Sequence, residues 1–287
     1  MEILEHTKLT PVGSVNGFDF LNSLNQYSTI IKKDSKIIDS INNFYCRSVS
    51  KTESKVILSG FYVNQNFYRS AGVLFLDKNL DIVSEKAVYD TFSEFVWSDG
   101  YVAVGNFYKP SDDVMNGDVF IINTLERLKL PVMLMGEYEF RGGIRYDNKY
   151  FFYGVDKDNY RGILVRFENE LELLEININN DLWEFSGIEA YEGRIVLGVN
   201  MWQKFGFNGF LMTLEKGDYE TIQIPVRSSW FEVVDVKKVD EDMLVSVFDF
   251  DENVGVLLEF DGGFKVIDKV FNSQYILSSD KVFVKNL

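Results

Sequence analysis

Five seven-residue windows recur along the chain at nearly constant spacing: AGVLFLD begins at 71, GDVFIIN at 117, GILVRFE at 162, GFLMTLE at 209 and GVLLEFD at 255. The steps are 46, 45, 47 and 46 residues, and a degenerate sixth copy, YSTIIKK, begins at 27, a step of 44 before the first. Each copy is an apolar run ending in an acid or a polar equivalent. A turn and a second apolar run follow the five full copies: DIVSEKAV, LKLPVML, LELLEINI, YETIQIPV and FKVIDKV. Two such runs around a turn read as a β-hairpin. A unit this short cannot bury its apolar face alone, so copies must stack on one another.

Upstream of each hairpin lies another β-rich run: KVILSGFY, YVAVGNFY, KYFFYGV, RIVLGVN and DMLVSVF, with KVFVKNL closing the chain. One more run precedes these and starts at a recurring acid, in Ser93-Glu94-Phe95, Tyr138-Glu139-Phe140 and Trp183-Glu184-Phe185. Four short strands in a unit of about 45 residues are the signature of a propeller blade. The expected fold is all-β, a six-bladed β-propeller with four-stranded blades forming a single domain over residues 1–287. The outer hairpin at 27–41 and the inner pair at 271–287 would join as a composite closing blade from both termini, removing open sheet edges. A seven-bladed propeller, with residues 1–26 adding strands, is the alternative.

Composition narrows the partners. Lys and Arg number 29 against 44 Asp and Glu, a formal charge of -15, which repels phosphate backbones and anionic lipid. No nucleic acid and no membrane is expected as a partner. Cys46 is the single cysteine and His6 the single histidine, which excludes internal disulfides and cysteine-built metal sites and leaves little imidazole chemistry. No run approaches the roughly 18 apolar residues of a spanning helix, and the opening MEILEHTKLTPVGSVNGF lacks the apolar core of a signal peptide. A cytoplasmic protein is expected, or a secreted one if a leader has been removed.

The third repeat, DGYVAVGNFY at 99–108 followed by GDVFIIN at 117–123, resembles the repeat of uncharacterised bacterial and archaeal β-propeller proteins. That repeat runs Asp-Gly-Gly-Tyr-Ile-Val-Ala-Gly, a variable loop, then Gly-x-Asp and an alternating strand. Gly60, Gly105, Gly154 and Gly198 match its glycine after the second strand, and Ser246 replaces it. The resemblance covers most of residues 44–287. It implies the propeller fold and brings no substrate or catalytic residue with it.

Glu94, Glu139 and Glu184 begin the strand expected nearest the axis. Glu232, in Trp230-Phe231-Glu232, is the equivalent 48 residues beyond Glu184, and Gln274 is the fifth. Strand alternation sends Glu184 to the side opposite Trp183 and Phe185. Carboxylates gathered at a channel mouth are costly: two charges about 7 Å apart repel by roughly 2 kcal/mol at an effective dielectric near 20. Such a ring binds a divalent cation such as calcium, shares protons or splays into water. The plainer reading is that the Glu is solvated, or bonds a neighbouring blade's backbone, and recurs because the blades are copies. Tyr138, Trp183 and Trp230 flank these acids as candidate ligand-binding residues.

A second candidate surface is formed by the loops joining second and third strands, FYVNQNFYRS, FYKPSDDVMNG, VDKDNYRG with Tyr160, NMWQKFGFNG with Trp202 and Phe205, and FDFDENVG. Aromatic side chains beside amides and acids suit stacking on sugars or gripping a peptide, and equally suit burial under the loops themselves. The expected function is a non-catalytic ligand- or protein-binding module, holding a protein segment, a glycan or a small cationic ligand at the channel mouth. The alternatives are a glycan hydrolase or lyase, a metal-assisted hydrolase using the channel-facing glutamates, and a structural assembly part. Binding is preferred because the acids follow the repeat, whereas catalytic groups each need an environment of their own.

Overall fold

The computed structural model describes residues 3–4, 9–23, 27–88, 92–109, 113–131, 134, 136–176, 178, 182–203, 206–215, 217–278 and 281–287. His6 and Phe205 lie outside them. Among the described residues the regular structure is all strand, and no helix is long and apolar enough to cross a membrane.

After β1 (Ile3–Leu4) come six successive repeats of four strands. They are β2 (Thr10–Val15), β3 (Phe18–Ser23), β4 (Ser28–Lys33) and β5 (Lys36–Ile41); β6 (Phe44–Lys51), β7 (Val56–Val63), β8 (Arg69–Leu76) and β9 (Ile82–Val88); and β10 (Ser93–Ser98), β11 (Val102–Lys109), β12 (Val114–Ile121) and β13 (Glu126–Arg127). Then follow β14 (Tyr138–Tyr146), β15 (Lys149–Asp156), β16 (Arg161–Phe167) and β17 (Leu171–Leu174); β18 (Trp183–Tyr191), β19 (Arg194–Gln203), β20 (Gly206–Glu215) and β21 (Asp218–Gln223); and β22 (Phe231–Val239), β23 (Asp242–Asp249), β24 (Val254–Phe260) and β25 (Phe264–Phe271). Within each repeat the strands pair in chain order. β26 (Ser273–Leu277) and β27 (Val282–Asn286) end the chain, and β1 adds to β27 in parallel through Ile3↔Val282.

Two expectations need correction. The hairpin β4–β5 does not join the closing pair: it continues from β3 and β2, so residues 10–41 form one contiguous four-stranded sheet. The cause is local, because Asn16 and Gly17, at φ 55° and 78°, make the two-residue turn that pairs Val15 with Phe18. The two chain ends still share a sheet, but the N-terminal contribution is Ile3–Leu4. In the third repeat the outer strand is the two-residue β13, after which Leu128 N–H donates to Val119 at 2.8 Å; Pro131 then supplies no amide to prolong the ladder through LKLPVML.

The first strand of all six repeats carries a β-bulge at the same place, after Pro11, Cys46, Phe95, Phe140, Phe185 and Val233. The recurring Glu stands one residue before that point, and the residue after it enters the core: Phe95, Phe140, Phe185 and Val233 are at most 1% exposed. Opposite the bulge the second strand passes so close that a Cβ at Gly60, Gly105 or Gly154 would lie 2.0, 2.1 or 2.0 Å from a backbone oxygen. Glycine is required there. Gly198 sits one register place farther on, across from Gly187.

Contacts divide the chain into two compact units. The first is Lys8–Asp158 with Leu164–Glu175; the second is Met1–Thr7, Asn159–Ile163 and Ile176–Leu287. In the first, Phe20, Phe44, Leu58 and Leu74 share one core, and Phe95, Phe107 and Phe120 another. In the second, Val196 and Leu211 meet Val233, Val245, Val256 and Leu258, and Tyr275 packs with Leu244, Leu257 and Val284.

Successive repeats inside each unit are also tied by a buried amide. Asn22, Asn106 and Asn200 each accept the backbone N–H and donate to the C=O of one residue on the next repeat's first strand: Cys46 (3.0 and 2.6 Å), Phe140 (2.9 and 3.0 Å) and Val233 (2.7 and 2.9 Å). All three lie across from the position of the recurring Glu, opposite Thr10, Glu94 and Glu184. Ser246 serves the last junction, donating to Tyr275 O at 2.8 Å.

Candidate functional site

The recurring acids do not share one environment. In the first unit, Arg47 Nε and a terminal guanidinium nitrogen hold one carboxylate oxygen of Glu94 at 2.9 and 2.8 Å. Lys157 Nζ lies 2.6 Å from Glu139 and 3.1 Å from Glu137. Partial burial pulls the Lys157 ammonium down, but the bonds from Glu139 and Glu137 outweigh it and hold its pKa above the usual value. In the second unit, burial and then the charge of Glu184 push Glu232 above the usual carboxylate range. Among the described residues no three His, Cys, Asp or Glu side chains gather as a metal-binding group.

The flanking aromatics divide in the same way. Tyr138 and Trp183 are 5% and 3% exposed and pack edge-on against Phe140 and Phe185, so they belong to the core and not to a ligand surface. Trp230 and Trp202 are 40% and 42% exposed. Their placement follows from a repeated backbone joint in which the residue before a first strand accepts an N–H from the end of the second: Leu182 from Trp202 at 3.0 Å, Trp230 from Phe250 at 3.0 Å. That joint brings four rings together in the second unit. Trp202 meets Phe207 at 4.2 Å, Phe207 stacks on Phe250 at 6.0 Å, and Phe250 stacks on Trp230 at 5.1 Å. Glu232 is two residues from Trp230, and Glu184 pairs across to Asn200, two residues from Trp202. Tyr160 is exposed, and its carbonyl accepts from the Trp183 amide at 2.9 Å; it makes no ring contact among the described residues.

A cavity of about 650 Å³ opens beside this cluster. It starts at Ser228, Ser229, Asp249 and Asp251, which bracket Trp230 and Phe250, and its apolar floor is Val254, Val256 and Leu258. Asp249 accepts the amides of Asp251 and Glu252 at 3.0 and 3.2 Å, and Asp251 accepts Ser228 Oγ at 2.6 Å, so the turn is held by its own carboxylates. Asp249, Asp251 and Glu252 line the cavity against Arg227 and Lys269. Sequence reasoning reached the loop FDFDENVG but not the Pro225–Ser229 segment, whose only signal was a proline beside polar residues after the β21 run.

Two other titratable groups are set by burial. Cys46 is 1% exposed and desolvation pushes its thiol far up, so it is an inert core side chain. Asp235, next to the bulge of β22, accepts Val236 N–H at 2.8 Å, yet burial raises its carboxyl from 3.8 to about 6. The folded chain therefore holds a proton between pH 3.8 and about 6 that the unfolded chain has lost. Stability falls as pH rises through that window, and the penalty is complete above it. Asp235→Asn keeps the acceptor for Val236 and is expected to stabilise by on the order of 2 kcal/mol at pH 8, with no gain below the unfolded pKa. Melting curves of the two proteins across pH check this.

These strands and their repeated joints define a fold of the β-propeller kind, and the comparison with solved structures shows the same. The chain is similar to the β-propeller domain of the Trilobed protease from Pyrococcus furiosus, with a TM-score of 0.59 and 16% identity over 91% of this chain and 84% of that one. It is also similar to the acylaminoacyl peptidase of Pyrococcus horikoshii (TM-score 0.55, 12% identity) and to a prolyl endopeptidase (TM-score 0.51, 10% identity), covering 90% and 95% of this chain. It spans only 44% and 45% of those two peptidases. No family model matches the chain, and no curated protein matches it.

Proposed function

We propose that this chain is a non-catalytic binding module whose ligand is a protein segment carrying a basic side chain next to apolar ones. The observation that carries this reading is the pair of half-exposed indoles, Trp202 and Trp230, on the Phe207–Phe250 stack, with Glu232 two residues from Trp230 and Glu184 paired across to Asn200, two residues from Trp202. Aromatic faces attract a cation, more so once it is desolvated, and neighbouring carboxylates add to the field. The adjoining cavity offers an apolar floor with charges of both signs at its rim, which suits the alternating polar and apolar groups of an extended peptide. The propeller domain of a protease among the similar structures is in keeping with a peptide ligand. For the architecture, six contiguous four-stranded repeats plus the β26–β27–β1 sheet support seven blades over six.

Calorimetric titration with a short peptide of one Arg among Val and Leu tests the reading. Saturable binding is expected, weakened about tenfold or more by Trp230→Ala and by Trp202→Ala, the scale of a lost aromatic anchor. Equal binding by the variants, or by the same peptide with Glu in place of Arg, would contradict it.

A second reading rests on Glu232. A carboxyl kept protonated to higher pH beside a second acid is how a glycan hydrolase or lyase separates its acid from its base. That reading predicts release of reducing ends from a polysaccharide panel, abolished by Glu232→Gln. The binding module predicts none.

A further inference from the structure

The first unit departs from its own repeat twice at the place of the recurring Glu, with Thr10 in the first repeat and Tyr45 in the second. Where the third and fourth repeats carry Glu94 and Glu139, the second carries Tyr45, paired across to Phe61. Those two rings stack at 5.2 Å and 16°, and two guanidinium groups lie on them: Arg47 at 5.3 Å from Tyr45, Arg69 at 4.8 Å from Phe61. Arg47 is already neutralised by Glu94. Arg69 is exposed and has no carboxylate partner among the described residues, in a chain whose net charge is -15. Departure from a repeat, with reversal of its charge, is where a specific site is expected.

The loop that leads into Arg69 carries two exposed aromatic side chains, and the joint before the next repeat carries a third. Phe67, Tyr68 and Phe92 are 68%, 42% and 44% exposed, and Tyr68 meets Phe92 edge-on at 5.6 Å. Asn64 fixes the loop that carries the first two, its side-chain oxygen accepting the amides of Asn66 and Tyr68 at 2.9 and 3.0 Å. Phe67 and Phe92 are both left-handed, at φ 62° and 56°. At the joint before a first strand, Asn43 and Asn272 take the conformation of Phe92, at φ 59° and 51°, with the residue type that adopts it most cheaply. Phe92 also meets Tyr108 edge-on at 6.2 Å, and these two ring contacts still leave it 44% exposed.

We propose that this face binds an acidic sugar, a pyranose bearing a carboxylate, with its C–H groups in the right-angled corner that Tyr68 and Phe92 form and its carboxylate on Arg69. The ring faces match the apolar side of a pyranose. The guanidinium matches a carboxylate. The exposed amides of Gln65 and Asn66, in the same loop, supply the paired donors and acceptors that hydroxyl groups need and that a plain aromatic acid would leave unused.

Titration of the full chain with trigalacturonate, followed by calorimetry, tests this. Saturable binding is expected, with maltotriose and benzoate at least about tenfold weaker. Arg69→Gln should weaken trigalacturonate about tenfold with an unchanged melting temperature. Phe92→Asn should weaken it similarly while raising the melting temperature, a combination that a merely structural role for Phe92 does not give. Absence of saturable binding, benzoate binding as tightly as the sugar acid, or wild-type affinity in either variant would overturn the proposal. Because the face lies wholly in the first unit, Trp230→Ala is expected to leave trigalacturonate binding intact, which separates this site from the peptide site.

Discussion

Replacing Gly154 with alanine is expected to destabilise the protein by roughly 3–4 kcal/mol and lower its melting temperature by about 8 °C or more. The new methyl would lie 2.0 Å from the carbonyl oxygen of Glu139 and 2.9 Å from the Cα of Phe140. Both neighbours are backbone, so no side chain can swing aside. The pair β14–β15 must part at its bulge, losing ladder bonds and pulling Phe140 out of the core. Gly263→Ala is the matched control: nothing lies within 4 Å of its added carbon, and an effect of about 0.5 kcal/mol or less is expected. Thermal melts of the two variants give the comparison.

The second large effect is expected at Asn200. Its side chain is 3% exposed and satisfies both the N–H and the C=O of Val233, so Asn200→Leu leaves two buried backbone groups unpaired at a cost of about 3 kcal/mol. Asn200→Asp separates the two bonds. A carboxylate still accepts from Val233 N–H but turns a second oxygen toward its carbonyl, so at neutral pH the aspartate is expected to be worse than the leucine. Protonation restores a donor, and the order should reverse in acid. Denaturant melts of both variants at neutral and acid pH read this out, and the same pattern is expected at Asn106 against Phe140.

The period of the seven-residue windows located β8, β12, β16, β20 and β24 within a few residues, because a strand buried on both faces has to be an unbroken apolar run. Residues 10–23 were legible only in part: TPVGSV and FDFLNS carry no Glu-aromatic start, although the Asn16-Gly17 turn between them was a readable hairpin signal. The partners of the acids were not legible. Arg47 reaches Glu94 from 47 residues away, and Lys157 reaches Glu139 from the far end of β15, contacts that only the register of neighbouring strands creates. Nor does sequence separate Tyr138 and Trp183 from Trp230. All three flank a recurring acid, but the first two are the opening residues of their strands and turn into the core, while Trp230 sits on the joint just before β22. The face around Arg69 was visible as an aromatic loop. Its charge was not, since that depends on which carboxylates come within reach.

The most direct test of the proposed peptide site is hydrogen–deuterium exchange of the whole chain with and without the Arg-containing peptide. Slowed exchange is expected at residues 226–230 and 249–256 and at the end of β19, with the loop at 61–70 unchanged. Protection confined to that loop, or protection nowhere, would contradict the assignment of the peptide to the indoles and cavity of the second unit.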